Sequence, residues 1–195
     1  MLIVARHGRT PANAAGQLLG RLDPGLDDLG RAQAAAIATA VPSDARVISS
    51  PLRRCRETAA AIAADIEIDD RLIEIAYGEL EGVPVSDVPA ETWRAWRSDS
   101  GWAPPGGESH DQLATRVWSV LDEHAAEAVD RDIVLVSHVS PIKAALAWAL
   151  GVGIEVSWRS FVAQASILRI ATGGPAPSLQ SHNEVHHLLG VDAAQ

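Results

Sequence analysis

The chain has 195 residues, of which 47% are hydrophobic and 21% charged, and this suits one globular domain with a full-sized core. Its formal net charge of −9 argues against nucleic acid or an anionic membrane as the main partner. The single cysteine, Cys55, excludes an intrachain disulfide, and no apolar stretch is long enough to span a bilayer. Both features agree with the cytoplasmic location that we expect.

Residue patterns predict strands that alternate with helices along the chain. Strands are predicted at 2–5, 46–49, 66–68, 133–136, 166–171 and 179–181. Helices are predicted within 25–41 and at 52–64, 90–97, 108–129 and 140–150. Because this alternation is typical of parallel pairing, we expect a layered α/β fold in one domain that covers residues 1–195.

Three polar stretches follow predicted strands, at the ends where α/β sheets gather ligands. They are Arg6-His7-Gly8, the segment 49–54 and Ser137-His138. Each stretch alone could simply meet solvent or be a satisfied core group. Two imidazoles and two arginines around one point make a poor core and a good phosphate site, and Gly8 is expected to turn the backbone tightly and to expose an amide near the anion.

The segment SSPLRRCRET, residues 49–58, begins a predicted helix with three arginines. A helix N-terminus favours anions, so Arg53, Arg54 and Arg56 stand at the unfavourable end of the helix dipole. A bound phosphate would relieve this conflict. Only one of the three can lie on the face toward the site, and the other two are expected to be solvated.

The segment 71–82 carries three carboxylates, Glu74, Glu79 and Glu81. Transfer of a phosphoryl group to histidine needs an acid that protonates the leaving oxygen, and a carboxyl group with a raised pKa can serve. Most carboxylates in loops are merely solvated. The residues alone therefore predict one general acid among the three without choosing it.

Five segments in fixed order resemble the motifs of the histidine phosphatase superfamily, also called phosphoglycerate mutase-like. The resemblance runs from Leu2 to Leu188, nearly the whole chain. The segments are RHGRTPAN at 6–13, SSPLRRCRETA at 49–59, RLIEIAYGELEG at 71–82, LVSHVSPIK at 135–143 and NEVHHL at 183–188. The resemblance implies a three-layer α/β/α sandwich with a mostly parallel central sheet and a small helical cap over the active site.

The resemblance also assigns roles to single residues. His7 would attack phosphorus and become phosphohistidine, and Glu74 would protonate the leaving alcohol and then activate water. A further set would hold the phosphoryl oxygens: Arg6, Arg54 and His138, assisted by Asn13 and by the backbone near Gly20 and Val139. Charge-assisted bonds to these oxygens are what the transition state needs, so no metal and no cofactor are expected.

Two positions depart from the family pattern. Val139 stands where the family usually has glycine, and Ala76 replaces a larger residue beside the acid. We expect a tighter pocket wall at Val139 and no loss of activity.

The phosphatase branch of the family is favoured over the mutase branch. Mutases resemble a longer protein with added basic residues, whereas this chain is short between Gly82 and Gly101, and WAPPGGES at 102–109 resembles phosphatases. A small phosphorylated metabolite is therefore the expected partner. The runner-up is a cofactor-dependent mutase, with Arg94 and Arg97 as substitutes for its basic residues, and the third reading is a silent scaffold.

The sequence leaves some features of the protein undecided. Trp93, Trp96 and Trp102 either line a substrate pocket or only pack the cap. The identity of the phosphoester and the choice between a monomer and a homodimer also stay open.

Overall fold

A computed structural model describes residues 1–191, so the last four residues of the predicted domain lie outside the described part. Its centre is one six-stranded sheet in the order β3-β2-β4-β1-β5-β6. The strands are β1 (Leu2–Arg6), β2 (Arg46–Ser49), β3 (Glu67–Ile68), β4 (Ile133–Ser137), β5 (Ile167–Ala171) and β6 (Ser178–Glu184). The helices are α1 (Pro11–Ala14), α2 (Asp28–Ala40), α3 (Arg53–Ile62), α4 (Ala90–Ser98), α5 (His110–Ala125) and α6 (Val139–Leu150).

The first four strands pair in parallel, because the helices between them return the chain to the same end of the sheet. The last two strands are antiparallel, β5 to β1 and β6 to β5. The expected mostly parallel sheet is therefore confirmed, with one antiparallel edge.

Helices cover both faces of the sheet. In β1, Leu2 and Val4 face a core with α5 and α6, whereas Ile3 and Ala5 face a core with α2 and α3. All four residues are buried, as a continuous apolar run in a central strand predicts. The three-layer α/β/α architecture is thus confirmed.

The helix predicted at 108–129 is shorter than expected. Ser109 forms a capping box with Gln112, so α5 begins at His110 and ends at Ala125, and a separate turn of 3₁₀-helix follows at Glu127–Val129. The one-turn helix α1 was not predicted. It is held by a capping box between Thr10 and Asn13 and is too short to show a hydrophobic period.

The cap, residues 77–107, consists of α4 and loops with 3₁₀ turns. Trp96 is buried at its centre, and the Trp96 ring centroid is 5.6 Å from that of Tyr77, 5.8 Å from that of Trp93 and 5.7 Å from that of Trp102.

None of the helices in residues 1–191 combines the length and the apolar character that crossing a membrane requires.

Candidate active site

The predicted convergence of strand ends is confirmed. In the parallel register of β1 and β4, Arg6 lies opposite Ser137, so the next residues, His7 and His138, become neighbours. Their ring centroids are 5.1 Å apart. The end of β2 leads into α3 and brings Arg54 to the same place, where Arg54 Nε donates to His138 Nδ1 at 3.2 Å.

His7 is held as a neutral imidazole. Its Nδ1 lies 2.7 Å from the carbonyl oxygen of Gly8. A carbonyl can only accept, so Nδ1 carries the proton and Nε2 keeps its lone pair. The side chain is 3% exposed, and burial, together with the positive charges of Arg54 and Arg6, holds the pKa of His7 well below its usual 6.5.

His138 is held by contacts on both ring nitrogens. An arginine Nε is always a donor, so His138 Nδ1 accepts from Arg54, and His138 Nε2 then donates to Ser50 Oγ at 2.8 Å. Burial and the nearby Arg54 and His7 lower the pKa of His138 well below 6.5. In the free site this ring is therefore neutral.

Arg54 is fully buried, and two backbone carbonyls hold its guanidinium group. Its terminal nitrogens donate to Gly20 O and to Leu22 O, each at 2.7 Å. The flanking Arg53 and Arg56 are exposed, and Arg53 pairs with Glu57. The prediction that one arginine of this segment faces the site while two are solvated is confirmed.

Arg6 and Arg54 have no carboxylate within 4 Å among residues 1–191. Arg6 donates to Val162 O at 2.8 Å, but its buried Nε has no partner in the described part of the chain. Burial lowers the pKa of Arg6 to about 10 and also lowers that of Arg54. One buried and one half-buried cation without a carboxylate partner make this a candidate anion site.

Of the three candidate acids, Glu74 is the one in the site. It is 3% exposed, and its Oε1 accepts from the backbone of Ile75 at 2.9 Å and of Ser140 at 3.2 Å. Burial raises the pKa of Glu74, although these bonds and Arg54 oppose the rise. Glu79 is exposed. A carboxyl group with a raised pKa beside an anion site is what a general acid requires.

The Glu81 carboxylate binds the backbone of the loop at residues 20–22. Its carboxylate accepts from the N–H groups of Gly20, Arg21 and Leu22 at 2.9–3.3 Å and from Tyr77 N at 3.1 Å. The Gly20 N–H therefore points at Glu81, and the same loop gives its carbonyls to Arg54. That Gly20 also binds substrate stays a prediction.

Local structure fixes the side chain of Asn13 and the backbone of Val139. Asn13 Oδ1 accepts from the Thr10 backbone and hydroxyl at 3.2 and 3.0 Å, and no partner is recorded for its NH₂ group in residues 1–191. At the start of α6, Ser140 N donates to Glu74 and Pro141 has no N–H, which leaves the Val139 amide for a ligand. Their roles in substrate binding stay predictions.

The expectation that Gly8 exposes a free amide is wrong. Its N–H donates to Thr58 Oγ1 at 3.1 Å, and Thr58 in turn donates to Arg54 O. Glycine is needed here for another reason, because a Cβ would lie 2.2 Å from the carbonyl oxygen of Gly30. The absence of a side chain at Gly8 thus lets the loop after β1 pack directly on α2.

Trp93 and Trp96 line a cavity next to Glu74, whereas Trp102 packs edge-on against Trp96 behind it. All three rings pack within the cap, and whether Trp93 and Trp96 also contact substrate stays open. From the sequence, Ser50 and Lys143 had no predicted role, and Glu81 was predicted only as one of three candidate acids. Ser50 lies in the segment SSPLRRCRETA directly after a predicted strand, so its position could have indicated a role. The roles of Glu81 and Lys143 depend on tertiary contacts.

Within residues 1–191, no group of three His, Cys, Asp or Glu side chains could hold a metal ion.

Fold and site together define an α/β protein with a buried anion site of histidines and arginines at the strand ends. The sequence pattern of the histidine phosphatase superfamily (branch 1) matches residues 2–185, and the chain belongs to this family.

Relatives of known name include the glucosyl-3-phosphoglycerate phosphatase of Mycolicibacterium vanbaalenii, 36% identical over 170 residues that cover 79% of this chain and 76% of that protein. A protein of Mycobacterium tuberculosis named as bifunctional is 35% identical over 176 residues. The match covers 85% of this chain but 48% of the relative, so the chain spans about half the length of that relative. Among solved structures, phosphoserine phosphatase from Entamoeba histolytica in complex with 3-phosphoglyceric acid superposes with a TM-score of 0.87 at 25% identity, covering 96% and 98% of the two chains.

Proposed function

We propose that this protein is a cytoplasmic, metal-independent phosphomonoester hydrolase that acts on a small phosphorylated metabolite through a phosphohistidine intermediate. The observation that carries the proposal is the neutral His7, which keeps a lone pair on Nε2 near the buried Arg54 and the half-buried Arg6. Neither arginine has a carboxylate within 4 Å among residues 1–191. Two of the named relatives are phosphatases of small phosphorylated metabolites, which supports the same reaction class.

In the first step, His7 Nε2 attacks phosphorus and the bond between phosphorus and the ester oxygen breaks. Glu74 gives its proton to the departing oxygen, so an alcohol leaves and Glu74 becomes a carboxylate. Arg6 and Arg54 hold the phosphoryl oxygens, whose charge is spread over the transition state. In the second step, Glu74 takes a proton from water, the water oxygen attacks phosphorus, and His7 leaves with its lone pair restored.

The mutase reading gains no support from the geometry. Arg94 and Arg97 are exposed on α4, and Arg97 lies over the Trp158 ring at 5.4 Å from its centroid. Neither lines the cavity beside Glu74.

The test is release of inorganic phosphate from a panel of phosphomonoesters in the presence of a chelator, with His7→Gln as the control. We expect turnover by the wild type that is lost in the variant and unaffected by the chelator. Turnover that needs an added divalent metal, or equal turnover by both proteins, would contradict the proposal.

A further inference from the structure

A cavity of about 190 Å³ lies on the cap side of Glu74. Its wall includes Trp93, Trp96, His110, Lys143, Ser157 and Trp158. Ile75 and Ser140 also border it, and these are the two residues whose amides bind the Glu74 carboxylate. An alcohol that takes its proton from Glu74 would therefore leave on this side.

The cavity wall contains polar atoms without partners. Seven buried side-chain N or O atoms in residues 1–191 lack a hydrogen bond, and three of them belong to this wall: Trp96 Nε1, His110 Nδ1 and Ser157 Oγ. The three residues are 2%, 8% and 2% exposed. These three atoms are themselves occluded by their neighbours, so they mark polar residues behind the wall and not contacts with an occupant of the cavity.

Lys143 adds a positive charge to the same wall. It is the only lysine of the chain, and it shares a helix face with Val139 and Ser140, four and three residues earlier. In residues 1–191 its ammonium has no carboxylate within 4 Å and no hydrogen-bond partner. Burial lowers the pKa of Lys143, while the negative charge of Glu74 opposes this shift.

We propose that Lys143 determines substrate specificity by binding a carboxylate on the leaving group, within the cavity that it forms with Trp96, His110 and Ser157. This inference rests on the proposed function. The ammonium of Lys143 can only donate, so the group that it binds accepts, and an anion supplies the counter-ion that Lys143 lacks.

The size of the cavity limits the leaving group. A cavity of about 190 Å³ is smaller than the pockets that hold drug-sized ligands, so it suits a small leaving group such as a hydroxy acid or an amino acid.

The experiment compares two esters that differ only at the proposed contact: 3-phosphoglycerate, and glycerol 3-phosphate, in which CH₂OH replaces the carboxylate. We expect the wild type to prefer the carboxylate in kcat/KM by roughly tenfold to a hundredfold, the effect of a hydrogen bond between charged groups. Lys143→Met should abolish this preference, and Lys143→Arg should keep most of it. Loss of the charge near Glu74 acts on both esters alike and cancels in the ratio.

Arg94→Met is the matched control, because it removes an exposed cation of α4 that lies outside the cavity wall. It should leave the preference unchanged. A wild type without preference, or Lys143→Met with the wild-type ratio, would overturn the inference and leave ordered water as the occupant of the cavity. The same ratio measured as Kd by calorimetry tests the subsite even if neither ester is hydrolysed, so its failure is distinct from failure of the proposed function.

Discussion

Arg54 Nε donates a hydrogen bond to His138 Nδ1 at 3.2 Å in the free site. This contact keeps His138 in the tautomer with its proton on Nε2, facing Ser50. A phosphoryl oxygen in the site needs donors, and His138 has no N–H to offer in this state, because its Nδ1 accepts from Arg54 and its Nε2 donates to Ser50. Binding of a phosphate dianion is therefore expected to separate Arg54 from His138 and to protonate His138 on Nδ1.

The first prediction concerns this protonation. The pKa of His138 lies well below 6.5 in the free protein, so the ring is neutral at pH 6.5. Orthovanadate or phosphate should raise that pKa, because a nearby anion favours the charged imidazole. A pH titration of the imidazole ¹⁵N signals, assigned with His138→Gln, measures the shift. An unchanged titration with the anion bound would remove His138 from the set of oxygen ligands.

The second prediction concerns acid stability. His7 has a folded pKa below the 6.5 of the unfolded chain, so between these values the unfolded state binds more protons. Its contribution to stability is then present above pH 6.5 and is lost as the pH falls toward the folded pKa. In this window each such group lowers the free energy of unfolding by up to about 1.4 kcal/mol per pH unit.

His7→Gln should therefore lose less stability than the wild type between pH 7 and pH 5, as measured by urea denaturation. Glu74 acts with the opposite sign, because its raised pKa lets the folded state bind the proton first. Comparison of the two proteins removes this common contribution. Parallel pH profiles would show that His7 is not held neutral by the fold.

The third prediction tests Glu74 as the general acid. Glu74→Gln cannot donate a carboxyl proton, so it should slow phosphorylation of His7 by an alkyl phosphate roughly 10²- to 10⁴-fold. p-Nitrophenyl phosphate should be affected little, since its phenolate leaves without a proton. Single-turnover rates are the right measure, because water attack can limit the steady state in the variant. Equal losses for both esters would exclude Glu74 from this role.

The fold could be predicted well from local patterns. The run 2–5 is apolar at every position, and the structure buries it on both faces at the centre of the sheet. The strand ends carry Arg6, His7 and His138, and parallel pairing alone brings them together. The choice of Arg54 among three arginines came from the family resemblance, and helix geometry explains it, since only that position faces inward.

Other parts of the site are tertiary and could not be predicted in this way. Glu81 binds a loop about sixty residues earlier in the chain. The cavity near Lys143 is lined by residues from several separate segments. Such contacts produce no periodic pattern and no short motif in the sequence. Gly8 was misread for the same reason, because its close neighbour, Gly30, belongs to a helix that follows twenty residues later.

The fourth prediction concerns Glu81 as a positioning residue. It fixes the loop of Gly20, Arg21 and Leu22, whose carbonyls hold the Arg54 fork. Glu81→Gln weakens the charge-assisted bonds to this loop, so kcat and the affinity for orthovanadate should fall together by roughly tenfold. The exposed Glu79→Gln is the control and should change neither. A lower melting temperature with unchanged vanadate affinity would show a purely structural role.

The central claim is that His7 Nε2 accepts the phosphoryl group, and rapid chemical quench followed by mass spectrometry of peptides tests it most directly. With a phosphomonoester substrate, the wild type should yield a phosphoryl group on His7 that is stable in base and labile in acid. The adduct should accumulate in Glu74→Gln, which lacks the base for water attack, and be absent from His7→Ala. The same adduct in His7→Ala, or turnover by the wild type with no phosphohistidine at any quench time, would contradict the account.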